Sequence, residues 1–352
     1  MFNCAKDILA YHDDEVTLAQ TERTAMRDRR NANRDRLKKG LREKKDPAPL
    51  EFCKQGSYAM KTMVQHADNK YDIDDGVYFD KDALKGPNGG ETSAIDARKM
   101  VRDAVDDGCF KTTPEVRSKC VRVWYEAGYH VDLPVYRQIV NTDAFGKEEA
   151  FYELAGNDWN RSDARDVSEW FHNENQRQSP DTENGRQLRR ITRSTKKFAT
   201  SRSSWHGQIA GGFMITKLVT ECYMPHADRE DVALYDTMLA IRDRLELDLV
   251  VKHPVTPNDT ITTGDDDPKA RSLKDRLSNA IEWLDVLFKA DCTRKQALDA
   301  WDKVFNTGYF TQRREKEIKE ACTSAGILNA GILRQNEGVP AVVSKRGSGT
   351  YA

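Results

Sequence analysis

Asp72-Ile73-Asp74-Asp75-Gly76-Val77-Tyr78-Phe79 reads as a β-strand with one chemical face. Successive side chains of an extended strand point to opposite sides, so Asp72 and Asp74 share a face while Ile73 lies on the other with Val77 and Phe79. With a rise of about 3.3 Å per residue, the two carboxylates stand ~6–7 Å apart along the strand. Two such acids repel each other, a penalty that a divalent cation removes, and hard carboxylate oxygens suit Mg²⁺ or Mn²⁺. Asp75 faces away from the pair and precedes Gly76, which marks it as a turn acid rather than a ligand.

Two other segments complement this strand. Gln55-Gly56-Ser57-Tyr58 places its serine fifteen residues ahead of Asp72. A glycine lets backbone N–H groups come close to a phosphate, and the serine hydroxyl adds a donor, the more so where a helix begins. Farther on, Tyr129-His130-Val131-Asp132-Leu133-Pro134-Val135-Tyr136 alternates apolar and polar positions like a half-buried strand, with Pro134 suited to an edge or a strand end. Asp132 then projects opposite to the apolar set. If this strand neighbours the first, three carboxylates converge on one side of a sheet. Two metal ions ~3.5–4 Å apart need that arrangement to clamp the attacking and leaving oxygens of a phosphoryl displacement.

The 352 residues carry 56 Lys+Arg against 57 Asp+Glu, a formal net charge of −1. At ~100–200 residues per domain, this length allows two or three domains or two closely packed lobes. Apolar residues at 38 % and six tryptophans suffice for a core, so the chain reads as soluble and globular rather than disordered. No window approaches the ~18 uninterrupted apolar residues of a membrane helix, and Met1 to Glu15 hold no apolar run of signal-peptide length. A cytoplasmic location with no membrane partner is the expectation. Seven cysteines at wide intervals, with no C-x-x-C pair, point to reduced thiols rather than a zinc knuckle or a disulfide frame. The seven histidines are equally dispersed, which leaves His130 and His206 as packing or surface residues.

Glu22 to Asp46 holds eleven basic and five acidic residues and no proline, the pattern of a long, charged, mostly exposed helix. Its basic excess is either a solvated face or a surface for polyanions, and the near-zero net charge argues against nucleic acid as a partner. Turn signals fall at Gly86 to Gly90, Ser179 to Gly185 and Pro254 to Pro268. Period-two apolar runs between Phe52 and Tyr136 give way to helical spacing from Arg186 to Leu333, as in Leu273, Leu277, Ile281, Leu284 and Phe288. An α+β lobe therefore precedes a helical one. Within Gly185 to Ser201, Leu188, Ile191 and Phe198 take one helical face and Arg189, Arg193 and Lys196 another, a stripe that is either solvated or a phosphate site. Trp124, Trp170, Trp283 and Trp301 are expected in the core.

Taken in this order and strand context, the GS, DxD and D elements resemble the signature of the nucleotidyltransferase superfamily that includes DNA polymerase beta, CCA-adding enzymes and the cGAS/DncV-like enzymes. QGSYAMKT, YDIDDGVYF and HVDLPVY are similar to segments of the DncV-like bacterial cyclic GMP-AMP synthases. So are SDARDVSEWF from Ser162 to Phe171 and the layout of the helix from Gly185 to Trp205, and the similarity runs loosely to about residue 310.

The resemblance implies an α+β fold in which a polymerase-beta-like nucleotidyltransferase sheet lobe packs on a helical lobe, with the active site in the cleft between them. Its divisions would be 1–46, a helical segment bracing both lobes; 47–180, the nucleotidyltransferase core; 181–335, the helical lobe; and 336–352, a flexible C-terminal tail. The implied activity is that of a cyclic di- or oligonucleotide synthase of anti-phage (CBASS) signalling. Such an enzyme joins NTPs, here ATP and GTP, by Mg-dependent nucleotidyl transfer with release of pyrophosphate, and a cyclic GMP-AMP-like product is expected. On the resemblance, Asp72 and Asp74 hold Mg²⁺ (or Mn²⁺) under the donor triphosphate. Asp132 completes the site of the second of two ions and helps to deprotonate the acceptor hydroxyl. Gln55, Gly56 and Ser57 contact the donor phosphates, and Lys196 neutralises the triphosphate. Implied partners are a downstream effector activated by the cyclic nucleotide and a protein joined by ubiquitin-like ligation at the C-terminus, where Ala352 would be the acyl donor. Two positions depart from the family: Gly207 to Gly212 lacks a serine that assists the same phosphates, and Met60 stands where a base-packing aromatic is found. Two rival readings stay open, a nucleotidyltransferase acting on an RNA 3′ end or a small-molecule acceptor, and a catalytically silent nucleotide-binding module.

Overall fold

The strands along the chain are β1 (Glu51–Gln55), β2 (Asp72–Asp80), β3 (Glu115–Val116), β4 (Val121–Trp124), β5 (His130–Leu133), β6 (Val135–Thr142), β7 (Glu148–Ala155) and β8 (Trp159–Arg161), joined in one mixed sheet. The structure, a computed structural model, describes residues 1–66, 71–86, 89–126, 128–142 and 145–336, with side chains through residue 323. The expected tail with Ala352, and the middle of the Gly86 to Gly90 turn, lie outside the described residues.

On one side β1 pairs antiparallel with β2. On the other, β5 and β6 both run parallel to β2 with one offset, Asp72 beside His130 and Val77 beside Val135, so the two form a single line interrupted at Pro134. Proline has no N–H for a ladder, and it falls where the outer partner changes, with β4 pairing antiparallel to β5 and β7 to β6. Its carbonyl still accepts a 2.8 Å hydrogen bond from the Val77 N–H. The sheet extends past Tyr136 into β7 and β8, whose polar composition hides their period-two pattern.

The helices are α1 (Ala5–Tyr11), α2 (Gln20–Lys44), α3 (Gly56–Met60), α4 (Ala94–Val105), α5 (Ala164–Gln178), α6 (Gln187–Thr200), α7 (Gly212–Cys222), α8 (Glu230–Leu247), α9 (Pro268–Leu284), α10 (Arg294–Phe305) and α11 (Tyr309–Asn336). A first core joins the back of the sheet, Val77, Phe79, Val121, Val131 and Leu133, to Leu37 and Leu41 of α2 and Val101 of α4. A second is helical and holds α1 through Ile8 and Tyr11 together with Leu188, Ile191, Leu234, Leu277, Trp301 and Phe310. Of the four tryptophans expected inside, Trp301 is fully buried. All seven cysteines are free, and no helix is long and apolar enough to cross a membrane among the described residues.

The long basic helix forms as expected, but its charge is not all solvated. Arg34 of α2 donates Nε to Oδ2 of Asp75 at 2.6 Å and Nη2 to Oδ1 at 2.5 Å, and the Asp75 side chain is 0 % exposed. Asp75 is thus a buried anchor between sheet and helix, not a turn acid. Removing one partner of a buried pair strands the other charge. Arg34→Leu should therefore lose about 3–5 kcal/mol in urea unfolding, and most of it should return in Arg34→Leu/Asp75→Leu.

Candidate active site

Strand register turns the separated motifs into one row across the sheet. Gln55 of β1 pairs with Asp74 of β2, Asp74 with Asp132 of β5, and Asp132 with Arg122 of β4. Neighbouring strands lie ~4.8 Å apart, so these four side chains leave the same face side by side. Two residues back along β2, the next row holds Asp72, His130 and Trp124. The expectation that the Asp132 strand lies beside the DxD strand is met, and His130 belongs to the chemical face, its ring tilted against Trp124 at 5.1 Å between centroids.

Among the described residues, neither Asp72 nor Asp74 forms an ion pair with a lysine or arginine. Burial pushes the Asp74 carboxyl up to about 7, and the charges of Asp72 and Asp132 push the same way. Gly56, at φ +59, sits against this acid: a Cβ on it would lie 2.1 Å from Asp74 Oδ2. Gly56→Ala should cost on the order of 1–2 kcal/mol in stability for its left-handed backbone. It must also displace the Asp74 carboxylate, so activity should fall far more than the melting temperature.

Asp132 departs from the expected free carboxylate. Arg122 donates Nε to Oδ1 at 2.8 Å and Nη2 to Oδ2 at 2.7 Å, and the Asp132 side chain is only 9 % exposed. The reason is the antiparallel hairpin that sets Arg122 directly opposite it. Three unpaired acids do not converge: among the described residues, no group of three His, Cys, Asp or Glu side chains closes on one point as ligands for an ion.

Gln55 also departs from expectation. Its Nε2 donates to Tyr78 Oη at 2.9 Å and its Oε1 accepts from Tyr136 Oη at 3.1 Å, with both rings stacked 4.5 Å apart. Tyr78 Oη in turn donates to Asp163, which caps α5 and pairs with Arg165. Gln55 is buried and its amide is committed to the tyrosines, so its side chain positions the Gly56-Ser57 turn instead of meeting phosphates. Gly76 is required here, because a Cβ would lie 2.1 Å from Gln55 Nε2.

The basic stripe of α6 is neither solvated nor paired with acids. Arg189 donates to Met60 O, Arg193 to Lys61 O, Lys196 to Thr62 Oγ1 at 2.8 Å and Lys197 to Gln65 O. These four cations hold the backbone that links α3 to β2, with carbonyls and one hydroxyl where carboxylates would be usual. Burial lowers the Lys196 ammonium to about 7, against the pull of Asp72. Gly212, at the start of α7, lies close to it, a Cβ there being 3.6 Å from Lys196 Nζ. Gly211 caps α7 without a side-chain acceptor, which leaves the first-turn amides of α7 without a side-chain partner.

These groups line one cleft of about 1840 Å³. Gln55, Gly56, Ser57, Asp72, Asp74 and Asp132 come from the sheet side and Lys196, Gly212 and Phe213 from the helices, with residues 253 and 255–260 along the rim. Met60 is buried at its floor.

A family model described as cyclic GMP-AMP synthase DncV-like, nucleotidyltransferase domain, matches residues 50–136. Residues 50–136 are thus similar to a DncV-like nucleotidyltransferase domain. A curated cyclic GMP-AMP synthase from Escherichia albertii is 26 % identical over 238 residues, covering 65 % of this chain and 49 % of that protein, so the match spans about half the length of the relative. In fold, the chain is similar to the Vibrio cholerae DncV cyclic AMP-GMP synthase (TM-score 0.65, 17 % identity, covering 87 % of this chain and 96 % of that one). It is likewise similar to Escherichia coli MS115-1 CdnC solved with ATP (TM-score 0.63, 16 % identity, 87 % and 98 %). The α+β architecture of a CD-NTase is thereby established.

Tested against the metal ion that such nucleotidyltransferases generally use, the DncV-like site fits in part. Asp72 and Asp74 offer unpaired oxygens and a local excess of negative charge, which is what a hard cation needs. Asp132 already has its cation in Arg122. Arg122, Tyr78, Tyr136 and the carbonyls after α3 that the α6 cations hold were missed from sequence; the one available signal was the alternation Val121-Arg122-Val123-Trp124 a hairpin's length before Asp132.

Proposed function

We propose that this DncV-like chain is a cyclic di- or oligonucleotide synthase, joining ATP and GTP by nucleotidyl transfer with release of pyrophosphate, with a cyclic GMP-AMP-like product and a role in CBASS signalling. The observation that carries the reading is the unpaired Asp72/Asp74 pair facing Lys196 across one cleft. That cleft, about 1840 Å³, exceeds the ~300–1,000 Å³ of a single-ligand pocket and has room for a donor and an acceptor nucleotide.

Asp72 and Asp74 would hold the divalent ion, Mg²⁺ or Mn²⁺, which when bound neutralises charge around the transferred phosphoryl group. The rest belongs to the chain. Ser57 and the Gly56 backbone hold the donor phosphates, Lys196 and the first amides of α7 take the outer ones, and Tyr152, Phe213 and the rim at residues 255–260 enclose the nucleosides. The acceptor ribose hydroxyl attacks the α-phosphorus in line as its proton passes to the Asp132 carboxylate, the bond from the α-phosphorus to the departing pyrophosphate breaks, and a second round closes the ring. Positioning and charge neutralisation do most of the work, as in phosphoryl transfer generally.

Incubation with an equimolar NTP mixture and Mg²⁺ or Mn²⁺, followed by phosphatase and mass spectrometry, tests this. A phosphatase-resistant cyclic species is expected. Linear products that appear only when RNA or an alcohol acceptor is supplied, or NTP binding with no pyrophosphate released, would replace the reading with one of its rivals.

A further inference from the structure

We infer that Arg122 stands in for the second divalent cation, so that the nucleotide-free chain holds one ion, at Asp72 and Asp74, and a second can enter only by displacing Arg122 from Asp132. This rests on the reading of Asp72 and Asp74 as metal ligands.

Four observations support it. The Arg122 guanidinium grips both Asp132 oxygens in a fork, at 2.8 and 2.7 Å, covering the edge of the carboxylate that a chelated ion would take. Register makes this contact a property of the sheet rather than of a loose side chain, because Arg122 and Asp132 are direct partners in the β4/β5 ladder. Asp132 is buried next in line to Asp74, and a carboxylate left there without any cation would be a stranded charge, so one positive group must always be present. Finally, Arg122 is one-quarter exposed, which gives the guanidinium a route toward solvent or toward a phosphate, whose oxygens offer the same forked geometry. Metal and guanidinium thus compete for one carboxylate, and the count of bound ions reports which has won.

Titration of the nucleotide-free protein with Mn²⁺, followed by the loss of the free-ion electron paramagnetic resonance signal, reads that count directly. The wild type is expected to bind one Mn²⁺ and Arg122→Gln two, the second at least about tenfold tighter than any second ion in the wild type. Arg122→Lys, which keeps the charge but loses the fork, should fall between them and decides the matter if Arg122→Gln does not fold. Two ions of similar affinity in the wild type, or one ion in both variants, would overturn the inference. Asp74→Ala separates the two levels: if it binds Mn²⁺ as well as the wild type does, the metal-ligand reading of Asp72 and Asp74 fails, whatever Arg122 does.

Discussion

Asp74→Asn is expected to abolish nucleotidyl transfer and, without metal, to melt at a higher temperature than the wild type at pH 8. Loss of an essential charged ligand should remove at least about 10³-fold in rate, more than the ~10²–10³ of a single lost hydrogen-bond donor in other active sites. Stability moves the other way because the wild-type carboxylate is held in a buried site beside Asp72 and Asp132, which makes its ionised form unfavourable. Asparagine keeps the shape and drops the charge.

The sign follows from linkage. The folded-state pKa of Asp74 is raised to about 7 from the ordinary 3.8, so the folded protein holds this proton more tightly than the unfolded chain does. Its contribution to stability is complete below about pH 4 and is lost as pH rises through about 7. A tenfold difference in proton affinity between the folded and unfolded chains is worth about 1.4 kcal/mol, and partial solvent access reduces the whole to the order of 2 kcal/mol. In EDTA, the melting temperatures of wild type and Asp74→Asn should converge near pH 4 and separate toward pH 8, and Mg²⁺ should then raise the wild type alone. Parallel curves across that range would show that Asp74 ionises freely and would remove it from the site.

What the sequence makes legible here is local. The alternation of Asp72, Asp74 and Asp132 against Ile73, Val131 and Leu133 sets which side of each strand is chemical, and period alone suffices for that. Pro134 marks the place where the outer strand changes partner. The partners of these acids are another matter, since they depend on register and on helices distant in sequence. Asp75 reads locally as a turn acid, and only the docking of α2 brings Arg34, 41 positions earlier, onto it. Arg122 reads as one polar position of a half-buried strand until the hairpin sets it against Asp132. The stripe on α6 shows how spacing alone misleads. Arg189, Arg193 and Lys196 have the spacing of a solvated face, yet twelve of the helix's 14 residues are buried, and carbonyls of the segment after α3 accept the protons of those cations. Charged residues without acidic partners on a central helix are a sign that backbone, or a ligand, completes them.

For that reason Lys196→Met carries the second large effect. Lys196 is 6 % exposed, hydrogen-bonded to Thr62 Oγ1, and depressed by burial from 10.5 to about 7. A lysine with a lowered folded-state pKa contributes stability that is present above its unfolded value and is lost as pH falls through the folded one. The substitution should therefore leave the protein as stable as wild type at pH 10 and more stable at pH 6, where the native enzyme must carry a buried ammonium. Binding should suffer instead. A triphosphate draws a proton onto Lys196 and forms a charge-assisted hydrogen bond worth about 1.5–3 kcal/mol, so the KM for NTP should rise about 10–100-fold with a smaller change in kcat. The pH profile tells this role from a packing one. In the wild type, KM should climb between pH 7 and 9 as the free enzyme loses the ammonium, whereas in Lys196→Met that limb should be flat. A variant that melts lower at pH 6 while keeping the wild-type KM profile would make Lys196 a strut for Thr62 and nothing more.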